Sequence, residues 1–386
     1  MKRWSSLQYQ RVAKQKEVDD KVVAAALAIG REITRRNPDV QPVFTLNHLA
    51  ELAEVDYASL RQYVSRTLEG YEAFKLRKRS GPNGEQRYRI ICVPEPSLMK
   101  VQRWIAQNIL NHGAVHEASV AFAPESTLVK ATSPHCEARW LIKLDIKRFF
   151  ESIPERFVYY VFREFGFQAL ISFEMARLCT RLFPGPLYNT WKWRSSSPFD
   201  DAYRIKSYTH SWQGHVPQGA PSSPMLANLV CYKLDEQLTS IAAAKGLQYT
   251  RYADDLTFST TDKAFTREMA VTFVGQVYRC LLRKGFSPNT SKTSIVPPGG
   301  RKIVLGVLVD GRQPKLSRQF KANLRQHIYY LTLPNWGPVE HAKKRGFASL
   351  TGLRDHVLGL IGYAAQIEPT YAHARKREFE KVRWPI

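Results

Sequence analysis

Apolar residues recur at helical spacing from Val22 to Ile33, and Phe44 to Arg66 reads as a helix, a break around Glu54 to Tyr57, and a second helix opened by Ser59. An ordinary helical hairpin accounts for that pattern more simply than a DNA-reading helix-turn-helix. At Lys75 the pattern changes. The basic run Lys75, Arg77, Lys78 and Arg79 leads to a turn at Gly81 to Gly84, and an alternating segment from Arg87 to Val93 stops at Pro94. A basic hairpin is expected, with Arg87 and Arg89 on one side of a strand where they could hold phosphates. Leu98 to His112 is helical again, and Trp140 to Leu144 is a short apolar run closing on Asp145, as a buried strand presents a polar residue at its end.

Glu155 to Leu182 predicts one helix, and Phe183 to Val216 has no clear period and reads as a long loop or insertion. A helix over Ser223 to Lys245, a hairpin over Leu247 to Ser259 and a helix over Lys263 to Lys284 follow. Short strands are expected at Thr293 to Val296 and Ile303 to Val309, joined through Pro297 to Arg301, before a mainly helical, basic tail from Leu316 to Trp384. From about 140 to 310 the order is strand, helix, helix, hairpin, helix, strand. That order suits an α+β layer with helices on one face of an antiparallel sheet.

The 386 residues are enough for cores in two or three lobes. Lys and Arg number 57 against 34 Asp and Glu, a net charge of +23, while the 44% hydrophobic fraction is that of a folded protein and excludes disorder. A field of that sign points to a polyanion, nucleic acid first and an anionic membrane surface second. The cysteines Cys92, Cys136, Cys179, Cys231 and Cys280 are far apart and form no C-x-x-C pair, so they read as reduced, mostly buried thiols. No apolar leader or membrane-length apolar run is present, which predicts a cytoplasmic protein without a membrane partner.

Arg251-Tyr252-Ala253-Asp254-Asp255-Leu256-Thr257-Phe258 places two adjacent carboxylates at the tip of an apolar hairpin. Their repulsion is costly unless a cation neutralises it, although a turn-favouring Asp pair is an equally good account of the segment alone. Asp145 shifts the balance, because a strand end beside a hairpin tip gathers three carboxylates, and three carboxylates suit two Mg²⁺ ions that also take substrate phosphates. A third element, Val216-Pro217-Gln218-Gly219-Ala220-Pro221-Ser222-Ser223-Pro224, is a small-residue turn entering a helix near Ser223. It allows close approach of a base or sugar, or is simply a capped turn.

Taken in order, L-D-I-K-R-F-F-E-S-I, P-Q-G-A-P-S-S-P-x-L-A-N and R-Y-A-D-D-L-T-F-S resemble motifs A, B and C of reverse transcriptases, the bacterial retron-type enzymes in particular. R-Y-R-I-x-x-x-P around Arg89, N-T-S-K-T around Lys292 and L-G-V-L-V-D at Leu305 to Asp310 extend the resemblance over roughly residues 85–310. It implies an α+β right-hand polymerase that copies RNA into DNA: a helical N-terminal region at 1–75, fingers at 76–139, a palm with an antiparallel sheet at 140–310 carrying fingers helices and an insertion at 183–216, and a helical basic thumb at 311–386. On this resemblance Asp145, Asp254 and Asp255, with the carbonyl of Ile146, are the ligands of two Mg²⁺ ions. Arg87 and Arg89 grip the incoming triphosphate, Gln218 and Gly219 line its sugar and base, and Phe150 is the steric gate that crowds a 2′-hydroxyl. Lys292 stands near the triphosphate, where it could protonate the departing pyrophosphate, and Leu305 and Gly306 grip the primer terminus.

The implied partners are a structured non-coding RNA serving as template or primer, the DNA product and RNA–DNA hybrid, deoxynucleoside triphosphates, and an effector protein or second copy of the chain. Two departures stand out. Where retron enzymes carry N-A-x-x-H and V-T-G, this chain reads Lys130-Ala131-Thr132-Ser133-Pro134-His135 and Val304-Leu305-Gly306. The chain is therefore expected to belong either to a retron or to a related anti-phage defence system. In the insertion, Tyr188, Trp191, Trp193, Tyr203, Tyr208 and Trp212 interleave with Lys192, Arg194, Arg204 and Lys206, a composition suited to unpaired bases, to a protein partner or to packing on itself. Two other functions remain compatible with the sequence: untemplated or protein-primed DNA synthesis, and a catalytically silent RNA-binding scaffold.

Overall fold

The computed structural model describes residues 4–77, 86, 88–124, 126–182 and 212–385. Its first helices are α1 (Ser6–Gln15), α2 (Asp20–Arg36), α3 (Leu46–Ala53) and α4 (Tyr57–Ser65). Side-chain caps explain where they start: Asp19 accepts from the Lys21 N–H, Thr45 from His48 and Asp56 from Ser59. The α4 cap is thus Asp56, which uses the Ser59 N–H, and Ser59 lies inside the helix rather than opening it.

Strands β1 (Tyr71–Arg77) and β2 (Tyr88–Pro94) pair antiparallel, Leu76 opposite Arg89 and Phe74 opposite Ile91. The expected hairpin is there, and β1 runs across the 75/76 boundary drawn from the sequence. Next come α5 (Pro96–Asn108), α6 (Leu128–Thr132), β3 (Trp140–Lys147), α7 (Glu155–Glu164) and α8 (Ala169–Leu178). The single helix expected over Glu155 to Leu182 is two, because Gly166 takes φ 94, a left-handed backbone that ends α7. Asp145 sits inside β3 rather than at its end.

The remaining elements are α9 (Ser223–Val230), α10 (Tyr232–Ala243), β4 (Gln248–Tyr252), β5 (Asp255–Thr260), α11 (Arg267–Arg283), β6 (Ser287–Pro288), β7 (Ser294–Val296), β8 (Ile303–Val304), β9 (Val307–Leu308), β10 (Lys315–Leu316), α12 (Arg318–Thr332), α13 (Gly337–Arg345), α14 (Leu350–Ile367) and α15 (Pro369–Phe379). The helix expected over Ser223 to Lys245 breaks at Cys231, where no glycine or proline marks the change. The strand expected over Ile303 to Val309 folds back as the β8–β9 hairpin, since Leu305 and Gly306 both take left-handed φ, 50 and 84.

Two compact units result, Met1–Pro124 with Ile146–Glu236 and Cys280–Pro288, and Glu125–Asp145 with Gln237–Arg279 and Asn289–Ile386. In the first, α5 packs on α3, α4 and α8, burying Leu49, Leu60, Val101 and Ile105 completely. In the second, β4, β5, β3 and β7 form an antiparallel sheet. Buried His135 lies 2.7 Å from both Ser259 on β5 and Thr250 on β4, and burial lowers its pKa to about 4. This histidine, the displaced one of the K-A-T-S-P-H stretch, fastens the sheet. Also in the second unit, α12, α14 and α15 share a core with Val307 and Leu316, including Leu324, Leu353, Val357 and Ala364, all with no exposed surface. Antiparallel sheets and packed helices make each unit part of an α+β fold, the class expected from the sequence. Among the described residues no helix is long and apolar enough to cross a membrane.

Candidate active site

The three carboxylates singled out from the sequence are positioned by strand register. Asp145 of β3 pairs directly with Asp255 of β5, and side chains opposite each other in an antiparallel pair share one face. Lys143, two residues earlier and opposite Thr257, shares it too. Tyr252 pairs with Asp255 across β4 and β5, so Ala253 and Asp254 form the two-residue tip, and Ala253 takes φ 54 to make the turn. Asp254 is thereby carried at the tip, adjacent to Asp255.

Asp145 is 4% exposed. Its Oδ1 accepts from Asn289 Nδ2 at 2.8 Å, its Oδ2 accepts from the half-exposed Lys292 ammonium, and its backbone carbonyl accepts from the Asn289 N–H at 2.8 Å. Asp255 has its pKa pushed up to about 6, first by burial and then by the charges of Asp254 and Asp145, with Lys143 and Lys292 pulling the other way. Clustered carboxylates that raise one another's pKa are what a site for hard divalent ions offers. Among the described residues no three His, Cys, Asp or Glu side chains are drawn together tightly enough to hold a metal ion, and Lys292 covers one of the carboxylates. Ligand type and charge nevertheless fit Mg²⁺, which binds through a few carboxylate oxygens and keeps the rest of its shell for water and phosphate. Ile146, next along β3, is buried and pairs with Pro288.

Also in the second unit, the Leu305–Gly306 turn is latched by the Tyr363 hydroxyl, which donates to the Leu305 carbonyl at 3.2 Å. The four residues Asp145, Asp254, Asp255 and Lys292, with this turn, all belong to the second unit.

Arg89, Phe150, Gln218 and Gly219 belong to the first. Arg89 is exposed on β2 and shares a face with Ile91, Phe74 and Leu76. The Gln218 carbonyl accepts from the Cys92 N–H at 2.8 Å, so the small-residue turn docks on that strand. Gly219, at φ 111, is forced: a Cβ there would stand 2.8 Å from Ile91 Cγ2 and 3.0 Å from the Cys92 carbonyl. Phe150 is half-buried, 5.3 Å between ring centres from the buried Phe149. Arg87 and residues 183–211, with the aromatic and basic side chains of the insertion except Trp212, lie outside the described residues. Asn289 and Lys143 act on the carboxylates as well, the first through a hydrogen bond and the second through its charge, and neither stands out in the sequence alone. The signal for Asn289 was its place three residues before Lys292, spanning one 3₁₀ turn.

The family described as reverse transcriptase (RNA-dependent DNA polymerase) matches residues 76–321. Curated relatives include the retron Ec86 reverse transcriptase of Escherichia coli, 26% identical over 87% of this chain and 93% of that one. Two from Myxococcus xanthus are each 29% identical: the retron Mx162 reverse transcriptase over 68% of this chain and 53% of that one, and the retron Mx65 reverse transcriptase over 80% and 64%. A solved structure, the apo telomerase of Candida tropicalis, is similar at 12% identity with a TM-score of 0.40, over 81% of this chain and 61% of that one. The chain belongs to the reverse transcriptase family, within it to the retron type, and is an RNA-directed DNA polymerase.

Proposed function

We propose that this polymerase copies a structured non-coding RNA of its own genetic element into DNA, as part of a retron or related anti-phage defence system, with Asp145, Asp254 and Asp255 as ligands of two Mg²⁺ ions. The observation that carries the chemistry is the register pairing Asp145 with Asp255, beside a tip that holds Asp254. Divalent-metal dependence is general to this family, and the metal, when bound, supplies the Lewis-acid charge that activates a hydroxyl and stabilises a leaving oxygen. The chain's own residues do the positioning. Asn289 holds one oxygen of the Asp145 carboxylate and Lys292 the other, and the half-exposed Lys292 would turn from Asp145 toward an incoming phosphate.

In the first unit, Arg89 would meet triphosphate oxygens, Gln218 and Gly219 would line the sugar and base, and Phe150 would crowd a 2′-hydroxyl; in the second, Leu305 and Gly306 would bear on the primer terminus. No covalent enzyme intermediate is required, since the primer hydroxyl attacks the α-phosphate in line. The test is to purify the protein from its native locus and sequence the nucleic acid that comes with it. DNA of fixed sequence complementary to a bound RNA is expected. DNA without a template match would replace templated copying by untemplated synthesis, and an Asp254→Asn, Asp255→Asn double variant that still made the same DNA would end the catalytic reading.

A further inference from the structure

We infer that Phe122 is a sugar-discriminating residue of this polymerase, a second aromatic wall beside Phe150, and that Asn228 holds it there. The inference rests on reading Phe150 as the steric gate. Phe122 has φ 63, a left-handed backbone that a bulky side chain avoids. The Ala123 N–H donates to the Ala121 carbonyl at 2.8 Å, so Phe122 is the middle residue of a three-residue turn of the strained, positive-φ kind. Such a conformation persists only where its surroundings enforce it, and these collect at functional sites.

The enforcing contact comes from α9. Asn228 is fully buried on α9 and is the last residue of the P-Q-G-A-P-S-S-P-x-L-A-N segment. Its Nδ2 donates to the Ala121 carbonyl at 2.6 Å, and its Oδ1 accepts from the Ser119 hydroxyl at 2.9 Å. The carbonyl preceding Phe122 is thus fixed by a buried amide. Core burial does not explain the arrangement, because the Phe122 ring remains 41% exposed. What the ring does meet is Phe150, with centroids 6.5 Å apart and planes at 47°. Phe150 also meets Phe149, which is 3% exposed and whose ring centre lies 6.0 Å from that of Phe286. A half-buried gate is only as selective as its rotamer is fixed, and contact with Phe122 restricts the rotamers of Phe150. Together the two rings present an apolar surface to the 2′ position, which accepts a hydrogen and penalises a hydroxyl left without a partner.

The test is the ratio of kcat/KM for a ribonucleotide to that for the matching deoxynucleotide, measured on an RNA template annealed to a DNA primer. Phe122→Ala is expected to raise that ratio by about tenfold, mostly through better use of the ribonucleotide. Phe122→Tyr keeps the ring and the wall, so its ratio stays near that of the unaltered protein, and Asn228→Ala moves the ratio in the same direction as Phe122→Ala. Phe150→Ala, run in parallel, separates the two readings. If Phe150→Ala raises the ratio and Phe122→Ala leaves it unchanged, the gate stands and the inference about Phe122 is overturned. If Phe122→Ala alone raises it, the Phe150 reading falls, and with it the inference that Phe122 acts as a second wall beside that gate. If neither does, both fall.

Discussion

Two buried acidic centres, one in each unit, use similar ingredients to opposite ends. Glu155, at the start of α7 in the first unit, has no exposed surface, and its carboxylate is met by the guanidinium groups of Arg66 and Arg177, the Thr180 hydroxyl at 2.7 Å and the Gly214 N–H at 3.1 Å. Asp145 in the second unit is almost as buried, yet it faces Asp255 across the sheet and takes side-chain donors from Asn289 and Lys292. The one carboxylate between two guanidiniums has its burial matched by cationic partners. At the second centre burial, and then the charges of Asp254 and Asp145, raise the pKa of Asp255 against the pull of Lys143 and Lys292. Burial of an acid therefore does not mark chemistry by itself; like charges gathered beside it do.

Neutralising one carboxylate of each centre should part them most sharply. Asp255→Asn is expected to lower kcat for DNA synthesis on a primed RNA template by about a thousandfold or more, while the thermal midpoint holds or rises because a repulsion is removed. A variant that lost stability and kept activity would reverse the assignment. Glu155→Gln leaves Arg66 and Arg177 buried without their counter-charge and should cost about 3–5 kcal/mol in denaturant unfolding. The folded fraction should keep its turnover per molecule. A small stability loss would show that Arg66 and Arg177 are satisfied by carbonyls such as those of Thr180 and Val64, to which they also donate.

Much of this was legible in the residues. The hairpin over Leu247 to Ser259 announces itself by apolar alternation around a turn, and motif order carried Asp145, Asp254 and Asp255 to one chemistry before any pairing was known. What stayed hidden is what depends on contacts distant in sequence. Nothing near Glu155 names Arg66, 89 residues earlier in the chain, as its partner. Asn228 looks like a polar residue ending an apolar run until it is seen bonding a carbonyl 107 positions away. The breaks at Gly166 and between α9 and α10 were missed for different reasons: a glycine inside a helical pattern is often tolerated, and at Cys231 the apolar spacing runs on through the break.

Acid titration sharpens the contrast at smaller scale. His215 lies beside the Glu155 centre, and burial, followed by the charges of Arg181 and Arg66 against the opposing pull of Glu155, lowers its pKa to about 3. The unfolded chain has the ordinary value, so the stability contributed by neutral His215 is whole above about pH 6.5 and is lost as pH falls from there toward 3, at up to about 1.4 kcal/mol per pH unit. Unfolding midpoints measured from pH 7 to pH 4 should fall, and His215→Gln should flatten the slope. An unchanged slope would assign the acid sensitivity to other buried histidines such as His135.

The smallest change probes how Asp145 is held. Asn289 gives that residue two bonds, one from its side-chain amide to Oδ1 and one from its backbone N–H to the carbonyl, and Asn289→Ala removes only the first. One hydrogen bond to a carboxylate is worth about 1.5 kcal/mol, so kcat/KM should fall by about tenfold. Asn289→Asp keeps the size and replaces the donor with a fourth negative charge. If the centre works by surplus negative charge met by a divalent ion, that variant should lose activity at low Mg²⁺ and recover part of it as Mg²⁺ is raised, whereas the alanine variant should recover little because its fault is orientation. Equal recovery in both would mean that Asn289 acts through charge alone, and that the Lys292 ammonium suffices to orient Asp145.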